Sequence, residues 1–260
     1  MPHSRSTGSW TAARRDRAAI LTALAGVTVL AWLYLIRTAG AMDAAGPMDM
    51  VRVRAWGSSD FFFIFLMWAI MMVGMMVPTA IPMTLVYGAV VRKAARQGTV
   101  VAPTIVFVTG YLAVWTLFSL GAALAQWGLD RAALLSPMMV TTSPVIGAGL
   151  LIAAGLYQMT PLKRACLSHC RSPAHFISTH WRPNTAGAFR MGLEHGTYCL
   201  GCCWLLMGLL FVVGVMNLLW IAAIAVFVLI EKIVPHETLP ARISGLAMIL
   251  TGSVLLATWL

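Results

Sequence analysis

Charge is what this chain has least of. Only 10% of its 260 residues are Asp, Glu, Lys or Arg, and acidic residues number eight, whereas an ordinary soluble domain carries about 25% charged residues. That shortage argues against a soluble enzyme, a nucleic-acid-binding module and a disordered tail. There is no sixth cysteine to complete a disulfide framework, and the five present read as thiols with individual tasks. The sequence also has no Gly-rich phosphate loop, no Ser/His/Asp arrangement with a plausible carboxylate and no HExxH. Hydrolase chemistry therefore has no visible apparatus.

What the chain does have is apolar length. Its composition is 60% apolar and its mean hydropathy is +0.85. A bilayer core about 30 Å thick takes roughly 20 apolar residues in a helix. Seven such runs lie near 18–36, 61–91, 100–126, 137–160, 187–215, 217–234 and 242–260. The expected fold is all-α: a polytopic transmembrane helix bundle of about seven spans with its N-terminus in the cytoplasm. Residues 1–17 form a basic tail, and 18–260 form one transmembrane domain with a cytoplasmic Cys/His-rich loop at 161–195. Ala39-Gly40-Ala41 resembles a signal-peptidase site, and cleavage there would leave six spans. The preceding apolar stretch is longer than the roughly 7–15 residues of a signal h-region, which favours a retained anchor. Pro78 and Pro82 predict a kink in the second run, and Val215-Met216-Asn217-Leu218 leaves room only for a tight hairpin.

The net charge of +10 has a topological reading. Under this segmentation the outer segments hold Arg37, Arg52, Arg54 and Arg131, balanced by Asp43, Asp49, Asp60 and Asp130. The other 14 of the 18 basic residues fall on the inner side with only four acids, so the whole excess lies on one face. This is the positive-inside pattern of a multi-pass protein of the bacterial inner membrane, with a contribution from anionic lipid. It is not a nucleic-acid footprint.

Soft ligands are distributed unevenly. All five cysteines and four of the six histidines fall within 166–203. In Cys166-Leu-Ser-His169-Cys170 a helix would put both thiols on one face. In His195-Gly-Thr-Tyr-Cys199-Leu-Gly-Cys202-Cys203 the spacing makes a stripe along the fifth run. A reducing compartment keeps thiols free for metal, and thiolate, imidazole and thioether together select Cu(I) or Zn(II) over hard cations. The plainer alternative is that these cysteines pack helices, with Gly192, Gly196 and Gly201 allowing close contact. The second run adds Met71, Met72, Met75 and Met76, a methionine stripe that reads either as core filler or as a soft-metal path. Met42, Met48 and Met50 in the outer segment resemble a weak capture site. Glu231-Lys232 ends the sixth run; an acid at membrane depth is a candidate functional group, or a plain ion-pair partner at the interface. Trp115, Trp127, Trp181, Trp220 and Trp259 fit an aromatic belt.

These motifs carry a resemblance. The runs Trp68-Ala-Ile-Met71-Met-Val-Gly-Met75-Met-Val-Pro78, Tyr157-Gln-Met-Thr-Pro161-Leu-Lys163, Cys166-Leu-Ser-His-Cys170-Arg-Ser-Pro173, Gly201-Cys202-Cys203-Trp204 with Met207, Gly214-Val-Met216-Asn217 and Glu231-Lys232 resemble a bacterial family of uncharacterised, predicted metal-binding integral membrane proteins. The resemblance covers about 60–240. It implies metal binding at Cys166, Cys170, Cys199, Cys202 and Cys203, without naming a metal, a direction of transport or a reaction. His175 and His180 are outside its pattern.

The leading expectation is an integral membrane protein that binds a soft transition metal, copper before zinc, for transport or for delivery to a partner. The candidate ligands are Cys166, His169, Cys170, His195, Cys199, Cys202, Cys203, Met71, Met72, Met75 and Met76. Expected partners are the lipid bilayer and either other membrane subunits or a metallochaperone, with no nucleic acid. Three alternatives stay open: a zinc-stapled bundle, a thiol redox protein coupled to quinone, and a non-catalytic subunit of a larger membrane complex. Enzymatic activity is not the favoured reading.

Overall fold

The computed structural model describes residues 4–50, 57–135, 141–234 and 239–259, with side chains in the first of these ranges described only for 14–42. The methionines at 48 and 50 therefore lie outside the described side chains. Among the described residues the chain forms ten helices: α1 (Ser4–Met50), α2 (Ser58–Arg96), α3 (Thr104–Arg131), α4 (Pro144–Gln158), α5 (Pro161–Arg171), α6 (Pro173–His180), α7 (Thr185–Gly208), α8 (Leu210–Val213), α9 (Leu218–Ile233) and α10 (Leu239–Ala257). Each of the seven apolar runs is helical over most of its described residues, and the protein is an all-α bundle.

Several starts share one device, a short polar side chain that accepts from an otherwise unpaired backbone N–H of the first turn. Ser143 caps Ile146 and Thr160 caps Lys163, each followed by a proline at the first helical position. Asn184 and Asn217 cap Gly187 and Trp220. Most of the stretch 161–195, expected as a Cys/His-rich loop, is α5, α6 and the first turns of α7. Thr160 caps α5 in the manner just described, whereas α6 opens on Pro173 with no cap bond from the Ser172 side chain.

Five helical stretches are long and apolar enough to cross a membrane: 14–42, 58–96, 104–131, 185–213 and 239–257. Helices α4 and α5 pass the same test only together, bent by 63°, as a broken span or a re-entrant loop. The 16 residues of α9 rise about 24 Å at 1.5 Å per residue, less than a bilayer core. The chain is a multi-pass membrane protein in which two of the seven expected spans, α4 and α9, are short.

Helix α2 is continuous through Pro78 and Pro82. Proline has no N–H to give, so Pro78 leaves the Gly74 carbonyl without its helical donor. Trp32 Nε1 of α1 supplies a hydrogen bond to that oxygen at 3.3 Å. A second interhelical bond, Trp68 Nε1 to Gln126 Oε1 at 2.7 Å, ties α2 to α3 in the buried interior.

Close crossings depend on glycine. A Cβ on Gly192 of α7 would sit 2.1 Å from the Phe107 carbonyl oxygen of α3, and one on Gly110 would sit 2.2 Å from the Phe189 oxygen. Gly155 and Gly245 bring α4 and α10 together in the same way. Small residues let backbones approach where lipid offers no hydrophobic drive for association. Gly214, at φ 101°, closes the tight turn expected between the fifth and sixth runs. A main buried cluster joins α1, α2, α3, α7 and α9, with Leu35 and Ala39 of α1 among its members.

Candidate metal centre

Helix α7 carries the thiol stripe inward. Cys199, Cys202 and Cys203 are buried, and the Cys202 and Cys203 thiols both donate to the Cys199 carbonyl at 3.0 Å. One carbonyl holding two thiols is a consequence of the i+3 and i+4 spacing, which stacks both on the turn above. All five cysteines are free.

Helix α5 lies across α7, and its own two cysteines point there. Cys166 Sγ sits over Gly201, where an added Cβ would come within 2.8 Å of the sulfur. The Cys170 thiol neighbours Cys199, Cys202 and Lys232. The two cysteine segments are thus brought together, as a single helix face for Cys166 and Cys170 requires. Tyr157 completes the seam by donating its hydroxyl hydrogen to the Gly201 carbonyl.

Two histidines have different fates. His169 makes a hydrogen bond from Nδ1 to the Ala165 carbonyl at 2.8 Å and stacks flat on Tyr198 with ring centroids 4.1 Å apart. It is held away from the thiols by contacts of its own. His195 is buried in an aromatic box of Phe107, Tyr111 and Phe176, and its Nδ1 has no hydrogen-bond partner. A buried, unpaired imidazole nitrogen is costly unless something else uses it. His175 is exposed, and His180 pairs with Thr179 and Phe176.

The methionines meet the thiols. Met71, Met72, Met75 and Met76 are each at most 1% exposed, and they belong to the same buried cluster as Cys199, Cys202, Cys203, Met207 and Met216. The methionines of α2 and the thiols of α7 therefore share one buried interior.

Polar residues that the sequence had not marked as site residues complete the centre. Lys232 Nζ donates to Cys199 Sγ at 2.9 Å and to Thr79 Oγ1 at 2.8 Å. Thr79 in turn donates to the Met76 carbonyl at 2.8 Å. The Tyr111 hydroxyl lies 3.0 Å from that same carbonyl and 3.1 Å from Cys199 Sγ. These five groups form a closed ring of hydrogen bonds linking α2, α3, α7 and α9. Beside it Glu231 is not an interface residue but a buried one, with its two oxygens 2.8 and 2.7 Å from Lys163 Nζ of α5. The pair is 1% and 3% exposed. Gln158 donates to Glu231, and Arg171 donates to its backbone carbonyl. Lys163 is thus buried and the partly buried Lys232 turns its ammonium inward, although both count among the basic residues of the inner side by sequence. The signal that finds them is a lysine within or next to an apolar run, which is expensive unless it has a partner there.

Among the described residues no three His, Cys, Asp or Glu side chains form a group that would hold a metal ion. The reason is visible in the bonding: Cys202 and Cys203 are turned to a carbonyl, Cys199 to Tyr111 and Lys232, and His169 to its own helix. A tetrahedral zinc site is not laid out. The donor set, thiols backed by thioethers with one orphaned imidazole nitrogen, instead fits a soft ion that needs few ligands. Neither a curated protein nor a solved structure matches the chain. A family model described as copper chaperone does match, over residues 65–255, a range that contains the methionine stripe, all five cysteines and Lys232. The chain belongs to this copper chaperone family, PpoB2.

Proposed function

We propose that this protein is a multi-pass copper carrier of the bacterial inner membrane that takes Cu(I) as cargo on the thiols of α7 and α5 and hands it to a partner. The observation that carries this reading is the burial of Met71, Met72, Met75 and Met76 in one cluster with Cys199, Cys202 and Cys203. Thioether is a weak, exchangeable ligand for Cu(I) and thiolate a tight one, so affinity rises from α2 to α7. The excess of basic residues at the thiol end favours a cytoplasmic site with an inward gradient. A zinc staple, by contrast, takes nothing from α2, since thioether is a poor zinc ligand.

Changing Met71 and Met75 together to Leu keeps volume and hydrophobicity nearly constant, with a stability cost below about 1.5 kcal/mol per site. Expression and folding should survive this change while cellular copper accumulation shifts. Cys202→Ser should lower copper bound per purified protein, measured by elemental analysis. An unchanged copper phenotype in the well-expressed methionine variant, together with unchanged copper stoichiometry in the cysteine variant, would leave these residues as core. Maleimide labelling tests the topology. In a cysteine-free variant, a single cysteine placed in 172–185 should react with an impermeant reagent only after lysis.

A further inference from the structure

The groups around Lys232 come from four other helices: Thr79 of α2, Tyr111 of α3, Cys170 of α5, and Cys199 and Cys202 of α7. Its acidic neighbour in sequence does not serve it, because both Glu231 oxygens are on Lys163. The Lys232 ammonium is therefore directed at sulfur. We infer that Lys232 is a specificity-determining residue of the copper site, fixing its charge so that the loaded centre is neutral with a monovalent ion and not with a divalent one. The inference rests on the copper reading above and deepens it.

Net charge is costly in this interior. Cu(I) held between two of the thiols, whose protons leave to solvent, makes a centre of charge −1. The Lys232 ammonium brings it to zero. Zn(II) on the same two sulfurs is neutral by itself, and with Lys232 beside it the centre carries +1. To cancel that, zinc must recruit a third thiolate, and no such triple is assembled among the described residues. Lys232 thus supports the cuprous complex and opposes the zinc complex, a repulsive element as well as an attractive one. Its amine is held at the sulfur by Thr79, whose hydroxyl is anchored on the Met76 carbonyl, so the charge is positioned by the methionine helix itself.

The test is Cu(I) and Zn(II) affinity of the purified full-length protein in detergent, measured by competition with colorimetric chelators under anaerobic conditions. Lys232→Leu removes the charge and adds no ligand for copper, Lys232→Gln is a second uncharged variant, and Lys232→Arg keeps the charge. Loss of a charge-assisted hydrogen bond should weaken Cu(I) binding by about tenfold or more in the uncharged variants. Zn(II) binding should hold or strengthen in them, and Lys232→Arg should retain most of the preference for Cu(I). The inference is overturned if both uncharged variants bind Cu(I) as tightly as the parent, or if all three variants lose both metals in equal measure, which is the mark of a merely structural lysine. If the parent protein itself takes up no Cu(I), the copper reading falls, and this inference falls with it.

Discussion

Glu231→Ala is expected to destabilise the protein by about 3–5 kcal/mol, the usual cost of leaving one partner of a buried ion pair behind. Lys163 is 1% exposed and has Glu231 as its anionic partner, so the single change leaves an ammonium without compensation between α5 and α9. The Arg171 and Gln158 contacts gather at the same residue. The backbone bond from Arg171 survives the substitution, but the Gln158 bond does not. Removing both charges, as Lys163→Met with Glu231→Leu, should restore much of the loss, since replacing a whole buried pair by apolar side chains is often neutral. Thermal unfolding in detergent distinguishes the outcomes. Equal destabilisation by the single and double changes would mean that the pair acts through packing and not through charge.

Gly192→Val is expected to have the other large effect. The added Cβ would lie 2.1 Å from the Phe107 carbonyl oxygen and 3.0 Å from the Gly110 Cα. These are backbone atoms of α3, which cannot turn aside as a side chain can. The helices must separate, and overpacking typically costs about 1–3 kcal/mol, with more where relaxation is blocked. Separation would also pull Tyr111 from the Met76 carbonyl and Cys199. Gly149→Val is the matched control, because a Cβ there meets nothing within 4 Å. The two variants should differ clearly in yield and in unfolding temperature. Similar behaviour would show that the α3–α7 crossing is softer than its geometry implies.

The apolar runs were legible because lipid imposes a length and a composition, and each run is helical over most of its described residues. What sequence could not weigh was the local start signal inside polar stretches. Thr160-Pro161 and Ser172-Pro173 turned an expected loop into helices. The thiols and methionines were legible as chemistry, and their meeting in one buried cluster accords with their periodicity. Lys163 and Lys232 were not, because a positive-inside count treats every lysine near a span end alike. Only the tertiary fold shows that one faces a carboxylate and the other a thiol. Tyr111 and Thr79 carried no signal at all, being ordinary residues made special by Cys199 and Lys232 approaching from distant helices.

The polar ring draws its members from residues 76 to 232, and this has a consequence for biosynthesis. As the chain leaves the ribosome, the methionine helix is finished first, and α5 and α7 follow with their cysteines. The ammonium that faces those thiols arrives only with α9. A nascent chain arrested before α9 would expose thiols to whatever metal or oxidant is at hand, without the charge that Lys232 brings. On the copper reading proposed above, selective loading would then be tied to nearly complete synthesis and insertion, because a half-built protein lacks the ammonium that faces the thiols.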